Sequence, residues 1–390
     1  MLQQSFLKVP GAAGALVLTD AVSNNNTPTD PADDQRGRVG LDGSEKVTVA
    51  VGPMTDGDGF VSFPFASGND EAYALVLLPE GRIALAGRTL GSSNYAAGIA
   101  VVNPDGSLAT SFSNDGIATS PSVSQFNAVT FAGNALFAVG EASQGNYLDI
   151  AIAKFDLSGN PASGFGTNGV VVIPVTVGNG HDGANAVAVQ ADGSIVVGGY
   201  STAADRLTET TLVRVSANGL LDSSFGNQGK VVLSLGPTHD HVKSIDLLSN
   251  GSMIVGSMDY NNDSKLVLLK VTQTGALDTS FGSAGKLVTS IYPGSARDSV
   301  ALQGDKIIVS GGSSGGSSSN FRIARFNADG AVDTSFGTAG VVNFNDESTV
   351  ASGGVAVQPD GKIVVVGNTR TYRAELNDPV SYTHLRAHET

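Results

Sequence analysis

The chain has 390 residues, of which 41% are hydrophobic and 15% charged, so it can bury a large core. It contains no cysteine, which excludes disulfides, thiolate zinc sites and a cysteine nucleophile. The formal net charge of −14 disfavours nucleic-acid binding, and no apolar run is long enough to predict a membrane-spanning helix.

The N-terminal segment, residues 1–46, precedes any repeated pattern. Its start, MLQQSFLKVPGAAGALVLTD, places one lysine before an apolar patch and only loosely resembles a secretory signal, so an ordinary chain end is the alternative. Residues 19–46 are polar and rich in Asp and Asn. This composition is typical of a linker, and we expect the segment to lack a packed core.

Residues 47–378 carry a repeat that is anchored on a phenylalanine. The phenylalanine recurs at spacings of 53, 60, 56 and 55 residues, with one glycine six residues before it and another four residues after it. A fixed period of this length is typical of repeat architectures. The phenylalanines are Phe112, Phe165, Phe225, Phe281 and Phe336. The preceding glycines are Gly106, Gly159, Gly219, Gly275 and Gly330, and the following ones are Gly116, Gly169, Gly229, Gly285 and Gly340.

Each repeat also contains a hairpin pattern upstream of the phenylalanine. VAVQADGSIVVGG (187–199) and VAVQPDGKIVVVG (355–367) are two apolar runs joined by Asp-Gly, which predicts two strands linked by a type I′ turn. A third apolar run follows, such as RIARFN (322–327), and a fourth begins after the phenylalanine. Four short strands per repeat predict an all-β propeller of four-stranded blades.

The phrase LDTSFGSAGK (277–286) returns in similar form in other repeats. We expect its phenylalanine to be a wedge buried between adjacent sheets, because a buried ring removes a large apolar area from water. The Asp and Ser or Thr residues before the ring are expected to cap a tight bend by accepting hydrogen bonds from nearby amides.

Six blades are the expected number, with seven as an alternative. Five complete repeats cover residues 68–343, residues 56–65 match only a fourth strand, and residues 349–376 match a first hairpin and part of a third strand. N- and C-terminal strands together would close the ring and remove its sheet edges. Seven blades follow if residues 47–51 belong to another repeat. The segment 379–390 leaves the pattern, and we interpret it as a non-native sequence artefact.

The hairpin VAVQPDGKIVVVG and the phrase RIARFNADGAVDTSFGTAG resemble the delta-60 repeat family of bacterial β-propeller-like domains. The similarity extends over most of the chain, although Ala162 and Gly164 replace the Asp and Ser of the stronger repeats. The resemblance implies a propeller fold and a secreted or cell-surface location, because the family occurs mainly in large extracytoplasmic proteins beside adhesion or sorting modules. It implies no defined activity.

Three aspartates recur eleven residues before a hairpin glycine and are the candidate binding residues: Asp70, Asp182 and Asp240. His181 and His239 precede two of them and join the candidate set. We expect these loops to share one face, where three carboxylates could hold calcium. The alternative is that each aspartate caps a bend. No other cofactor is expected, and two histidines are too few for a zinc site.

The favoured function is a non-enzymatic, extracytoplasmic binding, adhesion or scaffold module of a bacterial surface or secreted protein. A protein or glycan partner is expected, with no nucleic acid, and the chain is expected to be a monomeric ring or part of a larger protein. One alternative is a polysaccharide hydrolase or lyase that uses Asp182 and Asp240 as paired carboxylates. The other is a purely structural spacer.

Overall fold

The computed structural model describes residues 70–90, 95–176, 180–202, 207–236, 239–259, 265–291, 299–312, 321–344, 349–358 and 360–372, together with short strands outside these ranges. Most of the predicted linker lies outside the described residues. Two short strands within it, β1 (Val22–Ser23) and β2 (Gly40–Leu41), pair in parallel. The next two, β3 (Val47–Ala50) and β4 (Phe60–Phe63), form an antiparallel pair.

Five antiparallel sheets follow, each with four strands in chain order. Sheet 1 contains β5 (Asp70–Leu77), β6 (Ile83–Leu90), β7 (Tyr95–Val102) and β8 (Ile117–Ser120), with a single 3-10 turn at Pro79–Gly81. Sheet 2 contains β9 (Gln125–Ala132), β10 (Ala135–Gln144), β11 (Tyr147–Asp156) and β12 (Val170–Ile173). Sheet 3 contains β13 (Asp182–Val189), β14 (Ile195–Thr202), β15 (Thr208–Val215) and β16 (Lys230–Leu233).

Sheet 4 contains β17 (Asp240–Leu247), β18 (Met253–Asp259), β19 (Lys265–Val271) and β20 (Lys286–Val288). Sheet 5 contains β21 (Val300–Gln303), β22 (Lys306–Gly312), β23 (Phe321–Phe326) and β24 (Val341–Phe344). The last sheet contains β25 (Thr349–Val357), β26 (Ile363–Tyr372) and β27 (Pro379–Thr383), and β28 (Arg386–His388) also pairs with β26. The tail 379–390 thus contributes strands, which does not decide whether its sequence is native.

The predicted four-stranded repeat is confirmed by these sheets. Closure of the ring and the number of blades stay predictions, because the described pairing of β4 is with β3 and that of β27 is with β26. Among the described residues, no helix is long and apolar enough to cross a membrane.

The Asp192–Gly193 hairpin turn differs from the type I′ prediction. A type I′ turn needs positive φ at both central residues. At residues 190–194 only Gly193 has positive φ, at 85°, and its amide donates to the Gln190 carbonyl at 2.9 Å. Asp192 Oδ1 accepts from the Ser194 amide at 2.9 Å instead. At this turn the type I′ prediction is wrong because the Asp side chain stabilises a right-handed turn that ends in a left-handed glycine. The pairs Glu80–Gly81 and Gly133–Asn134 have positive φ at both residues, as a type I′ turn requires.

The core lies between successive sheets and contains the repeat phenylalanines, as predicted. Phe112, Phe165, Phe225, Phe281 and Phe336 are all 4% exposed or less. Each belongs to a different apolar cluster, and each cluster joins side chains of two neighbouring sheets. The ten repeat glycines have φ between 77° and 91°, which explains why no other residue type recurs there.

Three of the phenylalanines, Phe165, Phe225 and Phe281, are covered by the turn of the following repeat. A Cβ on Gly219 would lie 3.1 Å from Phe165 Cε2, so this glycine allows the turn of sheet 3 to approach the ring of sheet 2. The backbones also join, since the Gly226 amide donates to the Thr274 carbonyl of the next repeat at 2.8 Å. The sheets are therefore linked in series by the same contact.

A basic residue eleven positions before the phenylalanine strengthens this link. The Arg214 guanidinium lies 4.7 Å from the centroid of the Phe225 ring, 2.8 Å from Asp222 Oδ2 and 2.5 Å from the Gln273 carbonyl of the next repeat. Asp222 Oδ1 accepts from the Ser224 amide at 3.0 Å, which confirms the predicted bend cap. The sequence analysis did not recognise the basic position, which is also occupied by Lys154, Lys270 and Arg325.

Candidate binding face

The ends of the sheets where the first strands begin form one face, which we call the upper face. It contains the starts of β5, β9, β13 and β17, and the starts of the third strands. The tyrosines whose side chains the structure describes all lie at this face: Tyr73, Tyr95, Tyr147 and Tyr200. The repeat phenylalanines lie in the turns at the opposite end. Tyrosine combines a large apolar ring with a hydrogen-bonding hydroxyl and is enriched at binding surfaces.

A β-bulge interrupts the first strand of each of sheets 1 to 4 near the upper face. The extra residues are Tyr73, Asn127, Asn185 and Lys243, all 8% exposed or less. All four are polar, although they lie in the interior. Bulges redirect a side chain and are frequent beside functional sites.

A glycine opposite the bulge makes this distortion sterically feasible. A Cβ on Gly199 would lie only 1.8 Å from the Gly183 carbonyl oxygen, and one on Gly87 would lie 1.8 Å from the Glu71 carbonyl oxygen. Gly140 occupies the same position in sheet 2. The repeated glycine at the end of the second apolar run therefore identifies the bulge, a relationship that the sequence analysis missed.

Polar side chains form a hydrogen-bonded network across sheets 1 and 2. Arg88 Nη2 lies 2.7 Å from Glu71 Oε2, and Arg88 Nη1 donates to Gln125 Oε1 at 3.1 Å. The Arg88 guanidinium also lies 4.0 Å from the centroid of the Tyr95 ring. Glu71 additionally accepts a hydrogen bond from the Tyr73 hydroxyl. These contacts hold one carboxylate and two phenol rings in fixed positions at the upper face.

The network continues into sheet 3 through Asn127 and Glu141. Gln125 Nε2 donates to Asn127 Oδ1 at 3.1 Å, and Asn127 Nδ2 donates to Glu141 Oε1 at 3.4 Å. The Tyr200 hydroxyl donates to the same Glu141 oxygen at 3.2 Å. A Cβ on Gly183 would lie within 2.7 Å of both Tyr200 and Glu141, so the missing side chain makes room for this pair.

Sheet 4 joins the network through aromatic stacking. The Tyr200 and His241 rings are stacked with centroids 4.4 Å apart. Thr208 Oγ1 lies 2.9 Å from His241 Nε2 and 3.1 Å from His239 Nδ1. Burial, Lys243 and His239 lower the pKa of His241 to about 4, so this ring is neutral at neutral pH.

The predicted aspartates are the first residues of β5, β13 and β17. The residue after each of them, Glu71, Gly183 or His241, belongs to the network at the upper face. Asp182 supports the bend-cap alternative, because its Oδ2 accepts from the Val175 and Thr176 amides at 2.7 and 2.8 Å. Asp240 Oδ2 accepts from the Leu235 amide at 2.7 Å. Asp70 is also buried, at 8% exposure.

Asp240 differs from the other two aspartates in its cross-strand partner. It lies directly opposite Asp259, whereas Asp182 lies opposite Ser201. Burial, together with Asp259 and Glu209, raises the pKa of Asp240 to about 6 even though its hydrogen bond from Leu235 acts in the opposite direction. The Asp240 carboxyl therefore favours its neutral form more strongly than an exposed aspartate does.

The two predicted histidines lie at the rim of the same face and are exposed. The His181 ring lies 5.7 Å from the Tyr147 ring, and the His181 carbonyl accepts from Thr202 Oγ1 at 2.6 Å. Within the described part of the chain, no three His, Asp or Glu side chains are arranged to hold a metal ion. The three aspartates are thus not brought together as a calcium site in this part of the chain.

The arrangement of repeated sheets is matched by known proteins. A family model described as "Domain of unknown function (DUF5122) beta-propeller" matches residues 190–225, 303–336 and 358–379. Each matched segment begins at or beside the hairpin turn, and the first two end at a repeat phenylalanine. The chain contains a β-propeller repeat domain. This agrees with the kind of repeat that the sequence resemblance implies.

The chain is also similar to solved structures. The subtype N10 neuraminidase-like protein of A/little yellow-shouldered bat/Guatemala/060/2010 is 11% identical with a TM-score of 0.50, and the alignment covers 77% of this chain and 89% of that chain. Chaetomium thermophilum Sqt1 is 15% identical with a TM-score of 0.47, covering 87% and 77%. A glucose dehydrogenase is 12% identical with a TM-score of 0.41, covering 77% and 94%. No curated protein matches the chain.

Proposed function

We propose that the β-propeller repeat domain is a non-enzymatic binding module that contacts a protein or glycan partner through its upper face. The observation that carries the proposal is the network from Glu71 to His241, which fixes tyrosine rings, carboxylates and amides across four sheets. Rigid aromatic and polar groups that need little ordering are what a binding surface requires. The lower turns that the structure describes contain ion pairs such as Arg214–Asp222 but no tyrosine.

The proposal is tested by selecting ligands from a peptide display library and a glycan array with the full chain. Any selected ligand should slow amide hydrogen exchange at the starts of β9, β13 and β17, which belong to the upper face. Binding should weaken at least tenfold in Tyr200→Ala. The matched control Leu220→Ser changes an exposed side chain in a lower turn and should bind as the wild type does. Protection confined to the lower turns would contradict the proposal.

Catalysis by Asp182 and Asp240 is the competing function. Neither residue lines the central cavity described below, and two oxygen contacts of Asp182 are made with backbone amides. Incubation of the full chain with soluble polysaccharides, followed by a reducing-end assay and ultraviolet detection of unsaturated products, should show no turnover. Turnover that disappears in Asp182→Asn and Asp240→Asn would establish the enzyme instead.

We also propose a closed ring of six blades within an extracytoplasmic protein. The strand β3 packs beside β5 at one end of the series, and β25–β28 stand at the other, so joining the two ends completes a blade. Spin labels on Ser62→Cys and Thr371→Cys in the cysteine-free chain should lie roughly 10–20 Å apart, because the completed blade would place β4 two strands from β26 and neighbouring strands lie about 4.8 Å apart. A much longer distance would indicate an open series. The location is supported by the family resemblance, and fractionation of the tagged protein tests it.

A further inference from the structure

A central cavity of about 440 Å³ lies between the first strands of sheets 1 to 4. It begins at the bulges, where Tyr73, Asn127 and Asn185 contribute polar groups, and continues along apolar side chains such as Phe131 and Ile245. Small-molecule sites are typically mostly apolar cavities of about 300–1,000 Å³ with a few converging polar groups. The volume and lining therefore fit a ligand-binding cavity.

Asn185 is the group that indicates a ligand. It is 8% exposed and lines the cavity, yet its carboxamide forms no hydrogen bond with another described residue. Asn127, at the equivalent bulge, is 1% exposed and donates to the Ala184 carbonyl at 3.0 Å. The Asn185 oxygen and nitrogen remain accessible, since neither is among the fully buried side-chain atoms without a partner. The bulge thus holds a donor and an acceptor in the cavity without a partner from the protein.

The lining also defines the charge of a suitable ligand. None of the side chains described around the cavity is charged, so an ion would lose its hydration without gaining a counter-charge. A carboxamide offers an acceptor oxygen beside a donor nitrogen, which is complementary to another amide. The apolar walls suit a compact hydrocarbon ring or side chain.

We propose that the central cavity binds a neutral, compact, amide-bearing small molecule through Asn185. The ligand amide N–H donates to Asn185 Oδ1, its carbonyl accepts from Asn185 Nδ2, and its apolar portion packs against Phe131 and Ile245. This site is separate from the upper-face binding of a macromolecule, and either can exist without the other.

The test uses ε-caprolactam as a neutral cyclic amide, with cyclohexanecarboxylate and cyclohexylammonium as charged probes of similar size. In the full chain labelled with ¹⁵N-asparagine, caprolactam should shift the Asn185 side-chain resonances and reach saturation. The two ions should not. Asn185→Leu should weaken caprolactam binding about tenfold, measured by ligand-detected NMR, since both amide hydrogen bonds are lost and tenfold corresponds to about 1.4 kcal/mol.

The matched control is Asn218→Leu, which changes an exposed asparagine in a lower turn and should leave caprolactam binding unchanged. The melting temperature of each variant confirms that it is folded. The proposal is overturned if caprolactam gives no saturable shift near its solubility limit, if Asn185→Leu binds it as tightly as the wild type, or if either ion binds equally well.

Discussion

Substitution of Asp240 by asparagine should stabilise the protein above pH 6. The side chain is fully buried, its Oδ1 has no hydrogen bond to a described residue, and Asp259 lies directly opposite. Burial and the acidic neighbours raise the pKa from 3.8 to about 6. The folded state therefore binds the proton more tightly than the unfolded state, and stability falls as the pH rises from about 4 through 6.

The magnitude follows from the shift. One pKa unit corresponds to about 1.4 kcal/mol, so ionised Asp240 lowers the free energy of unfolding by at most about 3 kcal/mol at pH 7.5. Asparagine retains an oxygen for the Leu235 amide and removes the charge. Urea unfolding should show Asp240→Asn to be about 2–3 kcal/mol more stable than the wild type at pH 7.5 and equally stable at pH 4.

The equivalent residue of sheet 3 provides the matched control. Both oxygens of Asp182 accept hydrogen bonds, from the Val175 and Thr176 amides and from Thr176 Oγ1. Asp182→Asn replaces one acceptor with a donor and should destabilise the protein by about 1–3 kcal/mol at pH 7.5. The reasoning is refuted if Asp240→Asn is no more stable than the wild type at pH 7.5, or if both variants change stability in the same direction.

Three further predictions concern other parts of the fold. The pKa of His241 is lowered to about 4, so the contribution of this residue to stability is lost as the pH falls from 6.5 through 4. His241→Gln should therefore lose less stability than the wild type between pH 7.5 and pH 4.5, as measured by urea unfolding at the two pH values. Phe281→Ala should lower the free energy of unfolding by about 3–5 kcal/mol, whereas Val288→Ala, at a side chain that is 64% exposed, should change it by less than about 0.5 kcal/mol. Arg214→Met should lower it by about 1–3 kcal/mol in chemical denaturation, because Asp222 and the Gln273 carbonyl lose a charged donor, and a variant as stable as the wild type would contradict this role.

Much of the fold could be predicted because its determinants are short-range and repeated. Glycine recurs at positions such as Gly219 because it adopts a positive φ readily and leaves room for the neighbouring ring. Phenylalanine recurs at positions such as Phe281 because successive sheets need the same apolar contact. The type I′ prediction was wrong at Asp192–Gly193, because the Asp192 side chain accepts a hydrogen bond that favours a different turn.

The site was harder to predict because it depends on strand register. A bulge adds one residue to a strand and is marked only by the glycine on the paired strand, so Asn127 and Asn185 could not be placed in the cavity from alternation alone. The regular spacing of the aspartates made them the candidate residues. The residues that form the network at the upper face are instead the next ones along the chain, such as His241. A basic residue recurs at the position of Arg214 in the sequence. Its role follows only from its contacts with the Phe225 ring and with the Gln273 carbonyl of the next repeat.

The contact between a repeat phenylalanine and the turn of the following repeat has an evolutionary consequence. When one whole period is duplicated or deleted, the repeats on either side of the change can form the same contact between a phenylalanine ring and the turn of the following repeat. The number of periods can therefore change by unequal recombination without new compensating substitutions. Relatives should accordingly differ in the number of periods more readily than in the residues within a period.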